Sequence, residues 1–205
     1  CVQKPKLAFQ RAKIAFEEEL KSSGLTYTIV RPTAFFKSLS GQIERLKRGK
    51  PFLVFGDGKL TACKPISDRD LARFLVGCID DSSRHNVVLP IGGPGPAITP
   101  HDQGLELFRL LGSPPRFQKV PPALFTGMAR VMDGLALIVP NLKEKAELAR
   151  IARYYGTESM LVWDPEERRY DSDATPSFGS DTLFDHYRDL IEGTESEPSP
   201  KASSR

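Results

Sequence analysis

The sequence has little of what metal sites, disulfide scaffolds and membrane spans are made from. Its 205 residues include three cysteines and three histidines. Cys1, Cys63 and Cys78 lie too far apart for a CxxC site or a disulfide framework. His85, His101 and His186 are equally scattered, so no zinc-ligand spacing exists and no metal is expected. No apolar run reaches the roughly 18 residues that a membrane helix needs. Charge of one sign is scarce as well: 29 Lys and Arg against 26 Asp and Glu leave +3. That balance argues against nucleic-acid binding and against a polybasic anchor. No leader pattern is visible, and the chain runs from Cys1 almost directly into a helix. We therefore expect a segment that continues an upstream part, with any targeting information lying there.

What is present suits a soluble globular α/β domain, with 40% apolar and 27% charged residues. Pro5 fits a first helical position and Gly24 a helix end, which predicts a helix between them with Ala8, Ala12, Ala15, Phe16 and Leu20 as its apolar stripe. The apolar, β-branched run over residues 25–30 predicts a buried strand. A helix, a glycine and then an apolar strand form the αβ half of a parallel sheet. A second helix is expected over residues 38–48. Residues 51–66 read as a hairpin turning at Gly56-Asp57-Gly58. Ser67 to Asp70 predicts a capping box, with Asp at the position where Glu is usual. The helix it opens would bury Leu71, Phe74, Leu75 and Cys78. A strand follows over 86–91, then the rigid loop Gly92 to Pro96. Thr99 caps a helix whose first residue is Pro100. A short strand over 117–120, a charged helix over 141–155, a strand over 160–163 and a helix over 181–191 complete the reading. The stretch 122–140 is the most apolar in the chain. From Gly193 the composition predicts disorder.

In open α/β sheets, ligands sit beyond the carboxyl ends of the strands. That places Arg31-Pro32-Thr33 at a candidate site, although a strand followed by a proline turn is common. Lys13 shares a helix face with Phe9; from spacing alone it reads first as a solvated surface lysine. The glycines at 92, 93 and 95 lack phosphate-loop spacing. Cys63 and Cys78 read as buried small residues. These residues give an α/β domain without a reaction.

The combination is more specific. CVQKPKLAFQRAK, SGLTYTIVRPTAFFKSLSGQIERLKRGKPF, FGDGKLTACKPIS and VLPIGGPGPAITP together closely resemble the NADPH-dependent divinyl chlorophyllide 8-vinyl-reductases of plants and green algae. These are atypical short-chain dehydrogenases, and the resemblance runs from Cys1 to about Tyr187. It implies the C-terminal portion of a Rossmann-like NAD(P)-binding fold with added helices, lacking the nucleotide-binding half. The expected division is a reductase portion over 1–163, an extension with one helix over 164–192 and a tail over 193–205. It further implies NADPH as cofactor, divinyl chlorophyllide as tetrapyrrole substrate and a chloroplast location. The Tyr-x-x-x-Lys pair of short-chain dehydrogenases reads Phe9-Gln10-Arg11-Ala12-Lys13 here. Lys13 is then the expected catalytic group, holding the nicotinamide ribose. Arg31, Pro32 and Thr33 would pack against the nicotinamide, and Phe9, Phe35 and Phe36 would face the substrate. The apolar stretch 122–140 would wall a pocket or touch the plastid membrane surface. This chain alone is expected to be inactive and not to bind NADPH. Two other readings stay open: a non-catalytic nucleotide-binding regulator or assembly factor, and a reductase of a different conjugated alkene.

Overall fold

The computed structural model describes residues 4–121, 123–124, 127–128, 131–132 and 142–193. Two parallel strand pairs organise it. Strand β1 (Thr28–Pro32) pairs with β3 (Val87–Ile91), with Thr28 opposite Val87. Strand β2 (Phe52–Phe55) pairs with β4 (Phe117–Val120), with Phe52 opposite Phe117. Parallel pairing requires a long crossover, usually carrying a helix. Helix α4 (Asp68–Asp80) supplies one and packs on β1; α5 (Pro100–Leu110) supplies the other and packs on β2. Before them come α1 (Ala8–Ser22), α2 (Phe36–Leu39) and α3 (Ile43–Lys47). A 3-10 turn (Ser82–Arg84) leads into β3. The chain continues with α6 (Leu142–Thr157), the antiparallel pair β5 (Val162–Asp164) and β6 (Arg169–Asp171), and α7 (Leu183–Glu192).

Several expectations change. The hairpin over residues 51–66 does not form. The Gly56-Asp57-Gly58 turn is present, with the Gly58 N–H donating to the Phe55 carbonyl at 2.9 Å, but the chain then runs to α5, where the His101 N–H donates to the Gly58 carbonyl. The free edge of β2 is met instead by Gln42, whose carboxamide exchanges two hydrogen bonds with the Leu53 backbone at 2.7 and 3.0 Å. His101, in the first turn of α5, is half-buried and stacks on Phe117 at 4.8 Å. The helix expected over 38–48 breaks into α2 and α3 around Ser40 and Gly41. Pro5 does not start α1, which begins at Ala8 and is capped from within: Gln10 Oε1 accepts the N–H groups of Lys6 and Leu7, both at 3.0 Å. The alanine stripe of α1 faces outward, with Ala8, Ala12 and Ala15 exposed and Phe16 70% exposed; Gln10 is the buried residue of this helix. In α4, Phe74 and Cys78 are buried while Leu75 is exposed. The apolar stretch 122–140 falls mostly outside the described residues; of those described in it, Leu124, Met128 and Val131 are exposed. The tail beyond 193 lies outside them altogether. Among the described residues no helix is long and apolar enough to cross a membrane.

The main core joins Phe36, Ile43, Leu46, Phe52, Val54, Leu107, Phe108, Leu183 and Tyr187. Helix α7, expected in an extension, is therefore integral to it. Its position is set by Asp70, which is 0% exposed. Ser67 caps α4 by accepting the Asp70 N–H at 3.0 Å, yet the Asp70 carboxylate does not complete the expected box. It turns away to accept the N–H groups of Ser180 and Asp181 at 3.0 and 2.9 Å and to pair with Arg73. Ser67 and Arg69 bind Asp181 in return. Gly179 permits this approach. It holds a φ of +94°, and a Cβ there would lie 2.1 Å from the Asp70 carboxylate. A complete capping box is formed instead by Thr99 and Asp102 at the start of α5.

Two outcomes follow from this latch. Gly179→Ala combines left-handed strain with a clash and should cost about 2–4 kcal/mol in urea denaturation. Burial pushes the Asp70 carboxyl up, but the Asp181 N–H, Arg73 and the Ser180 N–H outweigh it and hold the group below its ordinary 3.8. Its ionised form is thus the one the fold binds. The stability lost in Asp70→Asn should be full above about pH 4 and shrink as pH falls further, because the unfolded-state carboxyl takes up its proton before the native one does. Denaturation curves of both proteins from pH 7 to pH 3 check the sign.

Candidate functional site

The carboxyl end of β1 and the inner face of α1 meet. At about 100° per residue, Phe9, Lys13 and Glu17 lie on one side of α1, next to Gln10. Glu17 binds Arg31 through a two-point ion pair, with Arg31 Nε on Glu17 Oε1 at 3.1 Å and Nη2 on Oε2. Both side chains are largely buried. Glu17 thus ties the Arg31-Pro32 strand end to α1 one turn beyond Lys13. The sequence reading did not single out Glu17; its signal was the four-residue spacing from Lys13. Lys13 itself is exposed, and Phe9, Arg31, Pro32 and Phe35 are half-buried.

Two of the expected site residues turn inward. The Thr33 hydroxyl donates to the Lys64 carbonyl while the Thr33 N–H donates to the Ile91 carbonyl at 2.9 Å, and the residue is buried. It ties the strand end to the next loop and does not present its side chain to a ligand. Phe36 is 7% exposed, packs in the main core and lies 5.4 Å from the His186 ring. Only its neighbour Phe35, which precedes α2, stays near the surface. The glycines after β3 do not cradle an anion either. The Gly92 N–H donates to the Pro176 carbonyl at 2.8 Å and the Gly93 N–H to the Lys64 carbonyl at 3.1 Å. Any Cβ on Gly93 would lie 1.9 Å from the Pro65 carbonyl oxygen. These glycines serve close backbone packing. Cys63 and Cys78 are buried as expected, and burial pushes the Cys63 thiol up to about 12, away from nucleophilic use.

Beside this surface lies a mainly apolar cleft of about 310 Å³. Strand β2, the α2–α3 junction, residues 60–63 and the last turn of α6 line it. Gly156 lets α6 close against the Phe55 ring, which a Cβ would meet at 2.3 Å. Tyr155 and Glu158 stand at the α6 side. Burial pushes the Glu158 carboxyl up, but Lys6 and the Tyr170 hydroxyl (2.6 Å) outweigh it, so Glu158 is held as an anion. Tyr154 and Tyr155 follow one another on α6, their rings edge-to-face at 5.3 Å. Burial raises both phenols. Tyr154 is buried and donates to the Lys4 carbonyl at 3.0 Å, whereas Tyr155 is 39% exposed. Tyr154 and the Lys6–Glu158 ion pair therefore tie the start of α1 to the α6 side of the cleft. Among the described residues no group of His, Cys, Asp and Glu could hold a metal ion.

A sequence model described as NAD(P)H-binding matches residues 3–82. Over 196 residues the chain is 54% identical to the protein named "Divinyl chlorophyllide a 8-vinyl-reductase, chloroplastic" of Zea mays, covering 93% of this chain and 49% of that one. The chain is a sequence relative of the divinyl chlorophyllide a 8-vinyl-reductases. It spans about half the length of the curated relatives it matches. A Streptomyces griseus protein named as a (4-alkanoyl-5-oxo-2,5-dihydrofuran-3-yl)methyl phosphate reductase is 28% identical over 170 residues, covering 73% of this chain and 59% of that one. Among solved structures, the leucoanthocyanidin reductase–NADPH complex of Vitis vinifera matches with a TM-score of 0.63 at 15% identity, over 92% of this chain and 62% of that one. The fold is the Rossmann-like fold of the NAD(P)H-binding reductases.

The link between α1 and β1 has a measurable strength. A double-mutant cycle of Glu17→Gln and Arg31→Gln, read by urea denaturation, should give a coupling of about 1–3 kcal/mol, because the pair is two-pointed and poorly solvated. A coupling near zero would mean that the pair does not tie the strand end to α1.

Proposed function

We propose that the protein carrying this chain reduces the 8-vinyl group of divinyl chlorophyllide a to an ethyl group with NADPH, in the chloroplast. The observation that carries this reading is the identity to the plant 8-vinyl-reductases along nearly the whole chain. The local structure supports it: α1 offers Lys13 to solvent one turn from Glu17, which binds Arg31 at the strand end.

These residues fit the nicotinamide-ribose end of a dinucleotide. Lys13 would hydrogen-bond the ribose hydroxyls, and Arg31 with Pro32 would back the nicotinamide ring. Bound there, NADPH supplies a hydride. Phe9 and Phe35 offer flat apolar contact to a conjugated ring. Phe9 also explains how the chemistry proceeds without the tyrosine of related enzymes. That tyrosine protonates a carbonyl oxygen, and a vinyl group has none. The macrocycle spreads the charge that develops when the terminal vinyl carbon accepts hydride, so a strong oxyanion donor is not required. What the chain must supply is alignment of two flat partners, worth up to roughly 7–11 kcal/mol of barrier. Peripheral membrane contact through the exposed Leu124, Met128 and Val131 suits an amphiphilic pigment, and co-sedimentation with plastid-lipid vesicles tests it.

A second reading, reduction of another conjugated alkene, is favoured by the Streptomyces griseus relative. Assay of the full-length protein with NADPH on divinyl chlorophyllide and on a 2,5-dihydrofuranone separates the two. In that protein Lys13→Ala should lower kcat/KM about 10²-fold or more and weaken NADPH binding in fluorescence titration. Phe9→Tyr should leave vinyl reduction within a few-fold; a large gain would show that the missing hydroxyl limits the reaction.

A further inference from the structure

Resting on the reductase reading, we propose that the cleft between β2 and α6 receives the vinyl-bearing edge of the macrocycle and that Tyr155 delivers the proton that completes the reduction. Three observations converge on it. The position where short-chain dehydrogenases carry their acidic hydroxyl is Phe9, which has none. The segment that leads into this helix is tied to the end of α6, by the Tyr154 hydroxyl donating to the Lys4 carbonyl and by Lys6 pairing with Glu158. Tyr154 is committed to the Lys4 carbonyl, which leaves Tyr155 as the phenol of this pair that lines the cleft. A phenol hydroxyl is thus returned to the neighbourhood of Phe9 from a different helix.

The cleft suits one edge of a flat conjugated ring. Its volume of about 310 Å³ lies at the lower end of small-molecule sites, too small for a whole tetrapyrrole and adequate for one pyrrole with its substituents. Its walls are Phe52, Val54, Phe55 and Leu60, with Gly41 leaving room. The step balances. Hydride from the dihydronicotinamide forms a C–H bond at the terminal vinyl carbon, and the π pair moves into the macrocycle. The carbon attached to the ring then takes the Tyr155 proton, restoring the conjugation and leaving an ethyl group, an oxidised nicotinamide and a tyrosinate. Water at the cleft mouth reprotonates the tyrosinate, which the partial exposure of Tyr155 allows. Burial keeps the phenol protonated through the neutral range, as a donor requires.

The test uses the full-length protein. Tyr155→Phe keeps the ring and removes the proton. It should lower kcat about 10²–10⁴-fold while tetrapyrrole binding, read by absorbance titration without reductant, stays within twofold. Replacing Tyr155 by 3-fluorotyrosine should restore turnover and move the alkaline limb of the pH profile to lower pH. Gly41→Trp fills the cleft from a position with open space around its Cβ, and should weaken tetrapyrrole binding at least tenfold with NADPH binding unchanged. Full turnover in Tyr155→Phe overturns the proton assignment, and undiminished pigment binding in Gly41→Trp overturns the cleft assignment. A parent protein that binds NADPH but never reduces divinyl chlorophyllide overturns the underlying reading instead.

Discussion

A buried carboxylate is the constraint on which much of this fold rests. Asp70 sits fully inside, and a charge can stay there only if hydrogen bonds replace its lost water. Two backbone N–H groups and an arginine do so, and both N–H groups belong to a segment more than a hundred residues further along the chain. That requirement places Ser180 and Asp181, and through them starts α7 where Leu183 and Tyr187 can enter the main core. Tyr187 in turn donates to the Leu39 carbonyl at 3.0 Å, fixing the end of α2. The α2–α3 junction is one wall of the cleft. A polar contact at one end of α4 therefore reaches the cleft by a chain of packed elements.

The functional surface uses a similar device at smaller scale. Gln10 and Glu17 are polar residues on the inner face of a helix whose alanines look outward. Gln10 caps the helix; Glu17 holds Arg31 and the end of β1. Lys13 stands between them and remains in contact with solvent. The helix is docked by polar groups on either side of the residue that the reductase reading gives to the cofactor, so that residue is positioned without being buried itself.

How much of this was legible in the sequence depended on how local each signal was. The αβ unit, the strand over 117–120, the Thr99 cap and the two buried cysteines were carried by neighbouring residues and were readable. The fate of β2 was not. Alternating Phe52, Leu53, Val54 and Phe55 before a Gly-Asp-Gly turn reads the same whether the strand turns back as a hairpin or crosses over to β4. The inner face of α1 was misread because an alanine stripe carries little apolar area, and the ion pair of Glu17 outweighed it. The Lys13 and Arg31 neighbourhood was readable as residue types, whereas Thr33 and Phe36 were not readable as inward-facing. Tyr155 carried no signal, since its place in the cleft wall comes from the packing of α6 against β2, about a hundred residues earlier in the chain.

The two parallel ladders also say something about how the molecule is made. Val87 must find Thr28, and Phe117 must find Phe52, across roughly sixty residues each. Neither ladder can begin as a local hairpin, so the entropy of closing a long loop is lost before any strand is rewarded with a partner. On the ribosome, β1 emerges and waits through several seconds of synthesis for β3. During that interval its apolar edge is open to any other extended chain, so the interval between making β1 and making β3 is when this protein is most exposed to misassembly.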